Sequence, residues 1–324
     1  MSKTKPASLN SLMKHLRASG VAISGPSQKR KLKNIGYYHG YKGYRFAGKA
    51  ANKLPVTEFN QIALLHDFDM DLKTLFYPKV MLVETALKNY TLEAVVSDAE
   101  SEAFEDVWRH SLTDYRSHQG GSYGRAWERR QRLRSVMDGL IVQYHTSRDV
   151  IRHFRDSDRD IPIWALFEVM TLGSFGVFYE CLDARVKGAV VADLGLPSNY
   201  EPERVLKAIV YTLKDFRNAV AHNAPVYDVR FKTGKVSGSI GELVSADAGI
   251  AEVDFNDVTD YMVLLAYLMT KMRFPKREVM RFVGQYAKTL ERYRSLLPFD
   301  IYSKVIKTTA RSKVEATMAF VKGI

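Results

Sequence analysis

Arg217, Asn218 and His222 stand in one short segment, RNAVAHN at 217–223, and their types suit cleavage of RNA without a metal. Histidine titrates near neutral pH, so it can take or give a proton. Arginine stays charged and can hold a phosphate through two parallel hydrogen bonds. RNA carries its own nucleophile, the 2′-hydroxyl. In such a reaction His222 would act as general base or acid, Arg217 would stabilise charge developing on the phosphate, and Asn218 would orient His222 or a phosphate oxygen. One histidine does not easily serve as base and acid in the same pass, so a second copy of the segment across a two-fold axis would complete the site. On a helix, Asn218 lies about 100° round from Arg217 and His222 about 140°, so the three can line one cleft. The same residues also read as a plain helix end, where Arg and His favour the negative pole of the helix dipole and Asn223 or Pro225 stops the helix. Spacing alone does not choose. Arg148 and His153 in RDVIRH repeat it, with Asp149 after the arginine and a charge-dense surrounding that suits a solvated face.

The element that must carry the segment is legible. Pro202 opens a helix in which Val205, Leu206, Ile209, Val210, Leu213, Phe216 and Val220 form an apolar face running into RNAVAHN. Upstream, 59–96 shows helical spacing through Phe59, Ile62, Leu65, Phe68, Leu72 and Leu75, and again through Leu82, Ala86 and Tyr90. Pro78 between them predicts a kink or break. The charged stretch 97–135 contains QGGSYG, a loop signal, and helical patterns resume at 136–154, 162–192, 255–272, 276–296 and 300–321. The exception is 226–254, where Val229 and Phe231 before KTGK predict a small hairpin followed by a flexible insertion. The fold class is all-α. Residues 1–50 read as a basic, aromatic appendage, 51–230 as the helical domain, and 231–324 as the insertion plus C-terminal helices packed on the same core.

Composition narrows the partners. The 324 residues are 46% hydrophobic and 11% aromatic, enough for a folded, soluble chain with a sizeable core, and the net charge of +12 favours a polyanion such as nucleic acid. Basic residues interleave with aromatic ones at 29–46, where Tyr37, Tyr38, Lys42, Tyr44 and Arg45 are candidates to stack on bases and hold phosphates. A tight turn packed on the helical body accounts for that block equally well. Arg125, Arg129 and Arg130, in a second basic block at 116–134, are further RNA-binding candidates. A single cysteine, Cys181, excludes an internal disulfide and reads as a core residue in a reducing, cytoplasmic setting. The N-terminus lacks a signal-peptide core, and no segment reaches the roughly 18 apolar residues of a membrane span, YMVLLAYLM at 261–269 being a buried helix instead. HDFDMD at 66–71 tempts a metal reading, but Asp67 and Asp71 read as a solvated stripe beside Phe68 and Leu72, so neither metal nor cofactor is expected. Glu84 is a further candidate for orienting the site.

Four blocks in order, LKNIGYYHGYKGYRF (32–46), residues 59–89, IPIWALFEVMTLGSFGVFYECL (161–182) and LKDFRNAVAHNAPVYD (213–228), resemble the Abi-D/Abi-F-like abortive infection family of bacteria over about 30–230. The resemblance implies an all-helical, HEPN-like bundle and a phage-defence protein. In that superfamily Arg, a polar residue and a later His mark a metal-independent endoribonuclease site, a pattern that Arg217, Asn218 and His222 match. It implies RNA as substrate and a homodimer, since such domains pair to form the site. Ala224 stands where some relatives carry a modifiable tyrosine, which puts that form of toxin–antitoxin control in doubt. A second reading is an RNA-binding protein that does not cut, joined to a small non-coding RNA that restrains it. A purely structural scaffold would show no affinity for RNA even at low salt.

Overall fold

The computed structural model describes residues 8–323, and among them 72% are helical and none lies in a strand. In chain order come α1 (Leu9–Ala18), α2 (Gly25–Gly40), α3 (Phe59–Ala99), α4 (Phe104–His110) and α5 (Gly121–Tyr144). Then follow α6 (Asp149–Asp156), α7 (Ile163–Val169), α8 (Leu172–Cys181), α9 (Ala184–Asp193) and α10 (Pro202–Ala221). The chain ends with α11 (Gly238–Ala248), α12 (Val258–Lys271), α13 (Lys276–Leu296), α14 (Phe299–Val305) and α15 (Ala310–Gly323). The all-α class holds. Residues 1–7 of the basic N-terminal segment lie outside the described residues.

The chain divides into two compact units. Unit 1 comprises residues up to Lys79, Phe216–Val236 and Val244 onward, and unit 2 comprises Val80–Asp215 and Ser237–Leu243. In unit 1, α12, α13 and α15 pack on one another. Every residue of α12 from Val258 to Met269 is buried, so the apolar run at 261–269 is core, and no helix among the described residues is long and apolar enough to cross a membrane. Asp260 is the charged exception within it. Its carboxylate accepts from the Phe255 amide at 2.9 Å and from Lys313 Nζ of α15 at 2.5 Å, which pins those elements together. In unit 2, α5 packs against α6, α7 and α8. Arg185 holds Asp98 through two hydrogen bonds of 2.8 and 2.9 Å, which ties α9 to the end of α3.

The expected helix from Pro202 is α10, and its apolar face from Val205 to Val220 is buried as the spacing requires. Three expectations fail. α3 continues through Pro78 rather than breaking: Thr74 and Pro78 are both exposed, so the carbonyl deprived of an amide faces water, while Phe76, Val80 and Val83 hold the helix by burial. The hairpin at 226–236 is absent because Val226, Tyr227, Asp228 and Val229 are buried in succession, not alternately. Instead of a flexible insertion, 238–248 forms α11, whose Ile240, Leu243 and Val244 are buried at helical spacing. α5 also starts earlier than expected, directly after Gly120, whose φ of 54° makes the turn.

Candidate functional site

The last turns of α10 carry Arg217 and Asn218, His222 follows directly after its end at Ala221, and the way the helix stops fixes where they point. The Ala224 amide donates to the Ala219 carbonyl at 2.9 Å while Asn223 has φ 57°, a left-handed residue just past the helix end. Asparagine tolerates that conformation better than other residues with a β-carbon. Its side chain is then used again: Asn223 Oδ1 accepts from Lys73 Nζ of α3 at 2.7 Å. Lys73 is itself buried and sits 2.6 Å from Asp69 Oδ2.

Asp69 is the anchor of the chain's exit. It is fully buried, and its Oδ1 accepts the amides of Val226 at 2.7 Å and Tyr227 at 3.0 Å, while Oδ2 accepts from the Tyr44 hydroxyl at 2.9 Å. Tyr44 stacks on Tyr227 with ring centroids 5.3 Å apart, and the Tyr227 hydroxyl reaches the Phe46 carbonyl at 2.6 Å. The 42–48 turn is closed by Asp228, which accepts from the Gly48 amide at 3.0 Å and pairs with Arg230. Burial raises the carboxyl of Asp228 above its ordinary range, and burial together with Asp69 raises the hydroxyl of Tyr44. On the other side of α10, Phe216 packs edge-on to Phe76 at 4.9 Å and stacks on Tyr261 at 4.6 Å. The polar trio therefore stands on a rigid base.

Within the trio, Asn218 and His222 are exposed and Arg217 is half-buried. Arg217 Nη1 lies 3.5 Å from Asn218 Oδ1. The His222 amide continues the helix by donating to the Asn218 carbonyl at 2.9 Å, so both side chains face one way. An accessible imidazole, an amide and a guanidinium on one face can bind a phosphate and move a proton beside it.

The other candidates separate by burial. Tyr44 belongs to the base and not to an open platform. Tyr38 is 53% exposed, Lys42 is exposed with its ammonium 5.6 Å from the Tyr37 ring, and Arg45 lies over Tyr41 and Phe46. Arg125 and Arg129 are exposed on α5 in unit 2, whereas Arg130 is buried and donates to the carbonyls of Trp108 and Thr113. Glu84 is buried in unit 2 and pairs with Lys88 at 3.0 Å. The carboxylates of HDFDMD go to separate partners: Asp67 to Lys31, Asp69 to Lys73, and Asp71 to Arg292 and Tyr293. No group of three or more potential metal ligands occurs among the described residues.

Asp69, Lys73 and His39 were not singled out by the sequence. The first had a signal: Ile62, Leu65, Asp69, Leu72 and Phe76 follow one buried stripe, so the carboxylate occupies a core position, with a lysine four residues on. His39 lies at a ring distance of 6.1 Å from His66 and 6.4 Å from Tyr44, with Nδ1 buried and unpartnered. Burial, then the nearby Lys73, lower its pKa.

A family sequence model described as Abi-like protein matches residues 30–228. No curated protein and no solved structure matches the chain.

Proposed function

The chain belongs to the Abi-like family of bacterial abortive-infection proteins, and on that premise we propose that it is a metal-independent endoribonuclease of the HEPN type, acting on RNA as a homodimer. The observation that carries the reading is the display of Arg217, Asn218 and His222 on one side of the C-terminal end of α10, with the helix end held by Asn223, Lys73 and Asp69.

In this mechanism Arg217 holds the scissile phosphate and offsets the charge that builds on its oxygens. His222 of one chain takes the proton of the 2′-hydroxyl as that oxygen attacks the adjacent phosphorus. His222 of the second chain gives a proton to the departing 5′-oxygen. The products are a 2′,3′-cyclic phosphate and a 5′-hydroxyl. Asn218 positions Arg217 or a phosphate oxygen.

Purified protein incubated with labelled RNA in the presence of a chelator is expected to yield cyclic phosphate ends, and His222→Ala is expected to yield none. Cleavage that survives His222→Ala would overturn the assignment. A second reading is an RNA-binding protein that does not cut, partnered by a non-coding RNA. It is favoured by α5, where Tyr123 and Trp127 are 44% and 46% exposed beside exposed Arg125 and Arg129. Tyr123 and Trp127, four residues apart, share a face that suits stacking on unpaired bases, while Arg125 and Arg129 share a second face about 200° round the helix.

A further inference from the structure

We infer that unit 2 contains a binding pocket for a phosphate monoester, walled by α5, α8 and α9. This goes beyond the proposed cleavage and does not rest on it. A cavity of about 200 Å³ is lined by Arg129, Arg130, Lys187, His118 and Thr113, together with Glu180 and Cys181. That volume takes a phosphate and part of a nucleoside.

The lining sets Arg129, Arg130 and Lys187 against one carboxylate, Glu180. No carboxylate forms an ion pair with Arg129, Arg130 or Lys187 among the described residues. Arg130, only 8% exposed, gives its two terminal nitrogens to the backbone carbonyls of Trp108 and Thr113, and its buried Nε has no partner. Lys187 Nζ likewise donates to a carbonyl, that of Glu180, at 3.0 Å. The carboxylates nearby are engaged elsewhere. Glu180 Oε1 accepts from the Tyr211 hydroxyl at 2.9 Å and lies 3.2 Å from Lys207, and Asp114 accepts the Arg116 amide at 3.0 Å. Burial lowers the pKa of both Arg130 and Lys187, and Arg129 lowers that of Lys187 further. Cations held mainly by backbone carbonyls, and outnumbering the carboxylate beside them, are relieved by a doubly charged anion with several acceptor oxygens, and a terminal phosphate supplies both. A phosphodiester, with a single charge and no free end, supplies less.

Cys181 provides a reporter inside the pocket. It is the only cysteine of the chain, is buried, and its thiol donates to the Arg129 carbonyl at 3.6 Å. Burial pushes that thiol up to about 11. A bound anion would block access to the sulfur and disfavour the thiolate further.

The test uses the full chain carrying His222→Ala, so that RNA probes stay intact. It is titrated with adenosine 5′-monophosphate, with a 5′-phosphorylated tetraribonucleotide and with its 5′-hydroxyl counterpart, following heat of binding and the rate at which a small disulfide reagent modifies Cys181. A phosphorylated probe is expected to bind and to slow modification about tenfold or more, through masking of the thiol. Lys187→Gln and, separately, the exposed Arg129→Gln are expected to weaken that binding about tenfold, the worth of a charge-assisted hydrogen bond. Protection by the mononucleotide marks a free nucleotide as ligand, and protection by the oligonucleotide alone marks an RNA 5′ end. No protection by any probe, equal protection by the 5′-hydroxyl oligonucleotide, or binding unchanged in both variants would overturn the pocket.

Discussion

His222 and Asn223 are neighbours with opposite duties, and substitutions should separate them. His222 is exposed, so His222→Ala is expected to abolish RNA cleavage while leaving stability within about 1 kcal/mol, checked by denaturant unfolding beside an activity assay. Asn223 holds a left-handed backbone and accepts from Lys73. Asn223→Ala should therefore cost about 1–2 kcal/mol of backbone strain and about 1.5–3 kcal/mol more for the lost bond from Lys73, and Asn223→Gly should recover only the strain. His39 gives a pH test. Its folded pKa lies below the unfolded value, because burial and Lys73 disfavour the charged ring. The unfolded chain then binds the proton first, so the contribution of His39 is present above the unfolded pKa of about 6.5 and is lost as pH falls through the lower folded value. His39→Gln should flatten the stability profile in that window relative to the parent. An identical profile in both proteins would remove His39 from the account.

At the level of elements, α10 is positioned by α3 through a buried acid–base pair. Asp69→Asn leaves Lys73 buried without its charge partner and is expected to destabilise by about 3–5 kcal/mol, whereas Asp69→Asn with Lys73→Met should be less damaging than the single change. Cleavage should fall in both, since the end of α10 loses its brace. The helix that carries the motif was readable from its apolar spacing and from Pro202. The brace was not, because a carboxylate in HDFDMD looks solvated until the partners that bury it, Tyr44 from one side and the Val226 and Tyr227 amides from the other, are brought together by the fold. The contacts to Val226 and Tyr227 span more than 150 residues of sequence. The same distance explains the missing hairpin: Asp69 takes the amides of Val226 and Tyr227 that a strand partner would need, and the 42–48 turn takes the side chains of Tyr227, Asp228 and Arg230. The uninterrupted passage of α3 through Pro78 was hidden for the reverse reason, since exposure at Thr74 and Pro78 decides the cost and a sequence does not display exposure.

For the whole molecule, charge and copy number set the expectations. With a net charge of +12, RNA affinity should fall steeply as salt rises, since each phosphate contact releases a counterion. A flat salt dependence would leave the aromatic-basic surfaces without a role. On the proposed mechanism, with one RNAVAHN segment per chain, the second histidine is the partner's, so cleavage per chain should rise with protein concentration and an excess of His222→Ala chains should poison the wild type. Activity proportional to concentration down to the monomer would contradict the shared site. Family membership places the chain in abortive infection, and the central claim is that it acts there by cutting RNA at Arg217 and His222. The most direct measurement maps RNA ends in cells producing the wild type or the Arg217→Ala, His222→Ala double variant at equal levels. New 2′,3′-cyclic phosphate ends confined to the wild type are the predicted result. The same ends in both cultures, or a discrete RNA bound equally by both proteins with no new ends in either, would contradict it.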